Sequence, residues 1–118
     1  MQKLKNYSPI LIISGQSKSI FFEIFFKSIK LKKSKSPIIL ISSKKLLLQN
    51  MRKFNFKKKI KLLELDNLNK IKLDNNYINL IEVNQKKIID LNSNKFIENS
   101  FSIAFKIIKS GITNKFIN

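Results

Sequence analysis

Between Pro9 and Glu23 the chain reads PILIISGQSKSIFFE: an unbroken apolar run, a lone glycine, and at once a second apolar segment. Successive side chains of a strand point to opposite faces, so a run without polar alternation describes a strand covered on both sides. Pro9 to Ser14 therefore predicts a buried strand of a parallel sheet, with the helix that covers it starting just after Gly15. Strand-to-helix junctions of this kind are where many α/β proteins bind ligands, because free backbone N–H groups gather at the start of the helix.

The rest of the chain repeats the unit. Ser17 or Ser19 is placed to cap a first helix running to about Leu31, with Ile20 and Ile24, and Phe21 and Phe25, at i, i+4 spacing. Ser36-Pro37 resets the chain, Ile38 to Ile41 is a second buried strand, and Ser42 or Ser43 caps a second helix to about Phe54, with Leu46, Leu47, Met51 and Phe54 facing inward. Ile60 to Leu65 reads as a third strand and Tyr77 to Val83 as a fourth. The Asn- and Asp-rich stretch from Asp66 to Asn76 reads as a loop with room for a short turn of helix. After a polar connection, Ser93 or Asn94 caps a helix whose Ile97, Phe101, Ala104, Phe105 and Ile108 form one apolar stripe, with Gly111 as its C-terminal cap. Lys115 to Asn118 begins a further strand. Repeated strand-helix units imply right-handed crossovers and a three-layer α/β/α architecture with a mostly parallel sheet. A strand cut within four residues is read as the end of an incomplete domain, so residues 1–118 are expected to be one part of a longer enzyme domain.

At 118 residues a domain buries roughly two thirds of its unfolded surface, enough for a core. Hydrophobic residues make up 43% of the chain, which separates it from disordered sequences despite its charge. The formal net charge of +17 has two readings. Lysines displace counterions from phosphate backbones, as nucleic-acid binders do. Yet 68 of the 118 residues are Lys, Asn, Ile or Phe, all encoded by AT-rich codons, and there is one Arg. Base composition accounts for that bias, and Arg is the residue that recognition of phosphates and bases favours. No specific nucleic-acid partner is expected.

There is no cysteine and no histidine, so a disulfide, a His-based general base and a His-containing metal site cannot be built from this chain alone. Ile10 to Ile13 after Lys3 and Lys5 is too short for a signal-peptide core of about 7 to 15 residues. No stretch approaches the roughly 20 apolar residues of a membrane span. A cytoplasmic location is the expectation.

Three local patterns carry possible chemistry. Gly15 to Ser19 ends in Lys-Ser but lacks the Gly-x-x-x-x-Gly-Lys-Ser/Thr spacing of a nucleotide P-loop: Ser17 precedes Lys18 and Ile12 stands at the leading glycine. It is either an anion-attracting helix start or a serine-capped turn. The first helix is apolar around much of its circumference, which suits a helix lying between a sheet and another domain or subunit, or one lying on a membrane surface. Among seven carboxylates no two have the spacing of an acid/base pair, and Glu23, beside the first loop, is the one nearest a candidate site.

Gly15-Gln16-Ser17-Lys18-Ser19-Ile20-Phe21-Phe22-Glu23 resembles the first loop of the 4-hydroxythreonine-4-phosphate dehydrogenase family, Gly-Asp-Pro-Ala-Gly-Ile-Gly-Pro-Glu, at Gly15, Ile20 and Glu23. Gln16 stands for an Asp, and Ser19 and Phe21 for glycines, which removes a carboxylate and backbone freedom. Ser36 to Phe56 is similar to the family's second strand and following helix, and Ser93 to Asn118 to its long helix, Gly and the strand leading into a Thr-Ala-Pro-Ile-Asn-Lys type segment. The resemblance covers nearly the whole chain. It implies an isocitrate/isopropylmalate dehydrogenase-like fold and an enzyme that oxidises 4-phosphohydroxy-L-threonine with NAD or NADP, with decarboxylation to 3-amino-2-oxopropyl phosphate, in pyridoxine 5'-phosphate biosynthesis. It also implies a divalent metal (Zn, Mg or Co), a small phosphorylated substrate and a homodimer. On the same ground Gly15, Gln16, Ser17 and Glu23 would shape the substrate cleft, while catalytic and metal-binding residues would lie beyond Asn118.

Overall fold

A computed structural model of the chain describes residues 8–14, 20–31, 36–83, 94–113 and 115–117. Strands and helices alternate: β1 (Ile10–Ile13), α1 (Phe21–Leu31), β2 (Ile38–Ser42), α2 (Lys44–Lys53), β3 (Ile60–Leu62), a 3-10 helix (Leu65–Lys70), β4 (Ile78–Glu82), α3 (Asn94–Lys109) and β5 (Lys115–Ile117). The strands form one sheet in the order β3-β4-β2-β1-β5, and every neighbouring pair is parallel. Ile10 to Ile13 lie opposite Ile38 to Ile41, and Ile39 to Ser42 lie opposite Asn79 to Glu82.

Apart from the buried Ser42 of β2 and Asn79 of β4, each central strand is apolar on both faces, and the faces feed two cores. Leu11 and Ile13, Ile39 and Ile41, and Ile81 and Val83 meet Phe96, Ala104 and Ile107 of α3. The intervening Leu40, Ile78 and Leu80 meet Phe22, Phe25 and Phe26 of α1 and Leu46, Leu47 and Met51 of α2. Burying each such side chain stabilises by about 1.5–3 kcal/mol, which is why a pleat of period two selects the three-layer arrangement. The aromatic side of the second core closes with Phe26 stacked on Phe56 at 4.5 Å between ring centroids.

The placement of helices follows from crossover hand. From β1 to β2 and from β2 to β3 the chain moves one way along the sheet, under α1 and α2. From β3 to β4 and from β4 to β5 it moves the other way, and the connections carrying Leu68 and α3 lie on the opposite face. Reversing both direction and face keeps the hand the same, so all four connections obey the single hand that strand twist imposes in about 98% of cases.

Local details differ from the sequence reading in instructive ways. β3 stops at Leu62, with Leu63 still donating to the Leu80 carbonyl (2.8 Å), and Leu65 belongs to the 3-10 helix, because this edge strand has one neighbour and its chain must turn back to start β4. Phe54 occupies the C-cap of α2 and is exposed at its end. Ile20 precedes α1, and Ile24 is 54% exposed. The stripe of α3 is turned by one residue. Phe96, Ser100, Ala104 and Ile107 are buried, while Phe105 is 57% exposed. The i, i+4, i+8, i+11 pattern is therefore present one position earlier, a rotation of about 100°. Ser100 hides it by standing at the centre of the inner face, its hydroxyl donating to the Phe96 carbonyl (2.9 Å), so that a small side chain lets the helix approach the sheet. Gly111 ends the helix as expected, with φ +87° and its N–H donating to the Ile108 carbonyl.

Candidate functional site

In an open parallel sheet ligands gather outside the carboxyl ends of the strands, at the point where strand order reverses. Here that point is beside β1, which has β2 on one side and β5 on the other, with α1 and α3 on opposite faces. Gly15, Gln16 and Ser17 follow β1 directly in sequence, but they lie outside the described residues, as do the proposed caps Ser17, Ser19 and Ser93.

The described groups at this edge are Ser14, Ser42, Ser43 and Glu82. Ser14 is buried and donates its N–H to the Ile41 carbonyl. Ser43 caps α2: its backbone is extended and its Oγ accepts from Leu46 N–H at 3.1 Å. The Glu82 carboxylate, at the end of β4, accepts from Lys44 N–H at 3.3 Å. A carboxylate at a helix start is favoured by the helix dipole, so the N-terminus of α2 already has its negative partner and is not open to an anionic ligand. Glu82 was not apparent from the sequence as a cap of α2, since it is 38 residues away; only the β2–β4 register, which sets Ser42 opposite Glu82, brings it there.

Ser42 is fully buried, and its Oγ has no hydrogen-bond partner. Glu23 lies in the first turn of α1 and pairs with Lys27 at 3.2 Å, one helical turn on and largely in solvent. That geometry makes it a surface i, i+4 pair worth at most about 0.5 kcal/mol. The structure places Glu23 in the first turn of α1.

Among the described residues no three His, Cys, Asp or Glu side chains gather to hold a metal ion. The chain also has only two glycines, Gly15 and Gly111, so the three-glycine turn that cradles a dinucleotide pyrophosphate is missing. Neither a metal nor a nicotinamide cofactor fits the residues described. What this edge supplies is a rigid wall of strand ends. No described helix is long and apolar enough to cross a membrane.

This fold is similar to that of two solved enzymes. A 4-hydroxythreonine-4-phosphate dehydrogenase from Burkholderia phymatum superposes with a TM-score of 0.68 at 15% identity, over 97% of this chain and 38% of that one. The enzyme of the same name from Klebsiella pneumoniae gives a TM-score of 0.64 at 13% identity, over 98% of this chain and 38% of that one. No protein-family model matches the sequence, and no curated protein matches it significantly. At such identities the likeness is one of fold: the chain has the dehydrogenase-like α/β arrangement and spans 38% of the length of these enzymes.

Proposed function

We propose that this chain is the N-terminal part of an NAD(P)-dependent dehydrogenase that oxidises 4-phosphohydroxy-L-threonine, the product then decarboxylating to 3-amino-2-oxopropyl phosphate. The observation that carries this reading is the order β3-β4-β2-β1-β5, all parallel, in a chain whose 97% superposes on a solved 4-hydroxythreonine-4-phosphate dehydrogenase. Agreement of the first loop at Gly15, Ile20 and Glu23 supports it independently of the fold. In this reading the chain supplies the floor and one wall of a cleft. Gly15, Gln16, Ser17 and Glu23 border the cleft, and the groups that bind metal, nicotinamide and the substrate phosphate come from polypeptide beyond Asn118 and from a second subunit.

The test is to express the whole reading frame that encodes this chain and follow NAD(P)H formation with 4-phosphohydroxy-L-threonine and a divalent cation. The expected result is a frame that continues past Asn118, supplies histidines and gives turnover that a chelator abolishes. A stop codon directly after Asn118, or a full-length product that binds the substrate but forms no reduced nicotinamide, overturns the proposal. The competing reading, a basic nucleic-acid module, predicts a steep loss of affinity with salt, nearly one log unit per phosphate contact. Exposed lysines occur on both helical layers, Lys27 and Lys53 on one and Lys106 and Lys109 on the other, so the charge is not concentrated on one face.

A further inference from the structure

The opposite end of the sheet carries a groove of about 520 Å³ that the dehydrogenase reading leaves unused. It opens where the last turns of α1 pass the amino ends of β2 and β4, away from the loop after β1. Phe25, Ile29, Leu40 and Ile78 give it an apolar lining, and Lys30 and Lys58 border it. Among the described residues neither lysine has a carboxylate partner, and no carboxylate lines the groove.

Asn79 lines the groove and is 1% exposed. Its Nδ2 donates to the Ile38 and Asp74 carbonyls (3.1 and 2.9 Å), while its Oδ1 is buried with no partner. The volume is within the range of about 300–1,000 Å³ typical of small-molecule sites, which are mostly apolar with a few polar groups fixing orientation.

From the apolar lining and the lysines without carboxylate partners, we propose that this groove binds a small amphiphilic carboxylate. Its alkyl body lies against Phe25, Ile29, Leu40 and Ile78, and its head sits between Lys30 and Lys58. Burial of the tail supplies most of the affinity, and the ammonium groups select the sign of the head. A cationic amphiphile is rejected by like charge at the same rim, and a short acid lacks the tail. This site does not depend on the proposed reaction, because it lies at the other end of the strands and uses none of the cleft residues.

The test is a two-dimensional amide NMR titration of the 118-residue chain with decanoate, below its micellar concentration and at physiological ionic strength. Decyltrimethylammonium and acetate serve as controls. Saturable shifts confined to residues 25–30, 58 and 75–79 are expected with decanoate alone. Reversing both rim charges, Lys30→Glu with Lys58→Glu, should weaken binding by about tenfold or more while leaving the melting temperature unchanged. Filling the groove with Ser28→Trp, at an exposed position on its border, should abolish the shifts. Equal response to both detergents, shifts spread over the lysine-rich surface, or affinity indifferent to the charge reversal overturns the proposal.

Discussion

Ser42 and Ser43 are neighbours in sequence, equally buried, and opposite in energetic consequence. Removing the Ser43 hydroxyl takes away the acceptor of Leu46 N–H and leaves that donor in a buried setting. Ser-to-Ala changes at an N-cap typically destabilise by about 1 kcal/mol, within a range of about 0.5–2. The Ser42 hydroxyl makes no hydrogen bond although it is fully buried, so Ser42→Ala removes a desolvated polar group without breaking a contact. Such a change should be neutral or stabilising by up to about 1 kcal/mol. In urea, with a slope of about 2 kcal/mol/M for a domain of this size, Ser43→Ala should lower the midpoint by about 0.5 M, while Ser42→Ala should leave it unchanged or raise it. Equal slopes for the two variants and the wild type would confirm that the comparison concerns the native state. A fall in midpoint for Ser42→Ala equal to or larger than that for Ser43→Ala would refute the reasoning, since it would mean that the Ser42 hydroxyl has a stabilising partner.

Two aromatic residues on α3 separate the observed helix register from the one the apolar stripe suggested. Phe96→Ala, at a fully buried position, should cost about 3–5 kcal/mol in chemical denaturation, whereas Phe105→Ser should change stability by less than about 0.5 kcal/mol; the reverse ranking would show the helix turned the other way. A Cβ added at Gly111 meets nothing within 4 Å, but φ there is +87°, so Gly111→Ala should destabilise by about 1–2 kcal/mol through backbone strain alone. Gly111→Asn should lose less, and equal losses would point to a steric cause. Glu23→Gln removes one exposed ion pair and should shift stability by less than about 0.5 kcal/mol. If the whole reading frame, assayed for the proposed dehydrogenase activity, nevertheless loses turnover, Glu23 acts in the cleft; unchanged turnover would remove it from the candidate site.

How much of this was legible in one dimension depends on the range of the interaction responsible. β1 and β2 were visible because strands covered on both faces need unbroken apolar runs, and 10–13 and 38–41 have them; in β4 the run 78–81 is interrupted by Asn79, whose amide donates to the Ile38 and Asp74 carbonyls. The end of α3 was visible because a left-handed residue after a helix calls for glycine. The register of α3 was less legible. Eight apolar residues surround more than half of that helix, and the choice of inner face fell to Ser100, a polar residue that satisfies itself within the helix. The cap supplied by Glu82 was not legible at all, since it depends on which strands are neighbours.

The candidate site divides in the same way. Its location after β1 followed from a local pattern, an apolar run broken by Gly15. The reversal of strand order beside β1 that gives this location its meaning came from β5 taking its place next to β1 rather than β3. The groove at the amino ends of the strands had no counterpart in the sequence reading. Phe25, Leu40, Lys58 and Asn79 come from four separate stretches of chain, and only the stacking of layers brings them to one cavity.

The sequence by itself determined the alternation of strands and helices, the two-faced burial of the central strands and the helix caps at Ser43 and Gly111, because each depends on the side-chain pattern within one segment. Only the tertiary structure decided strand order, the face each helix covers, the rotation of α3 and the residues that meet at either end of the sheet. These depend on the hand of the crossovers and on close packing between segments distant in sequence, where a single small residue such as Ser100 outweighs the apolar pattern around it.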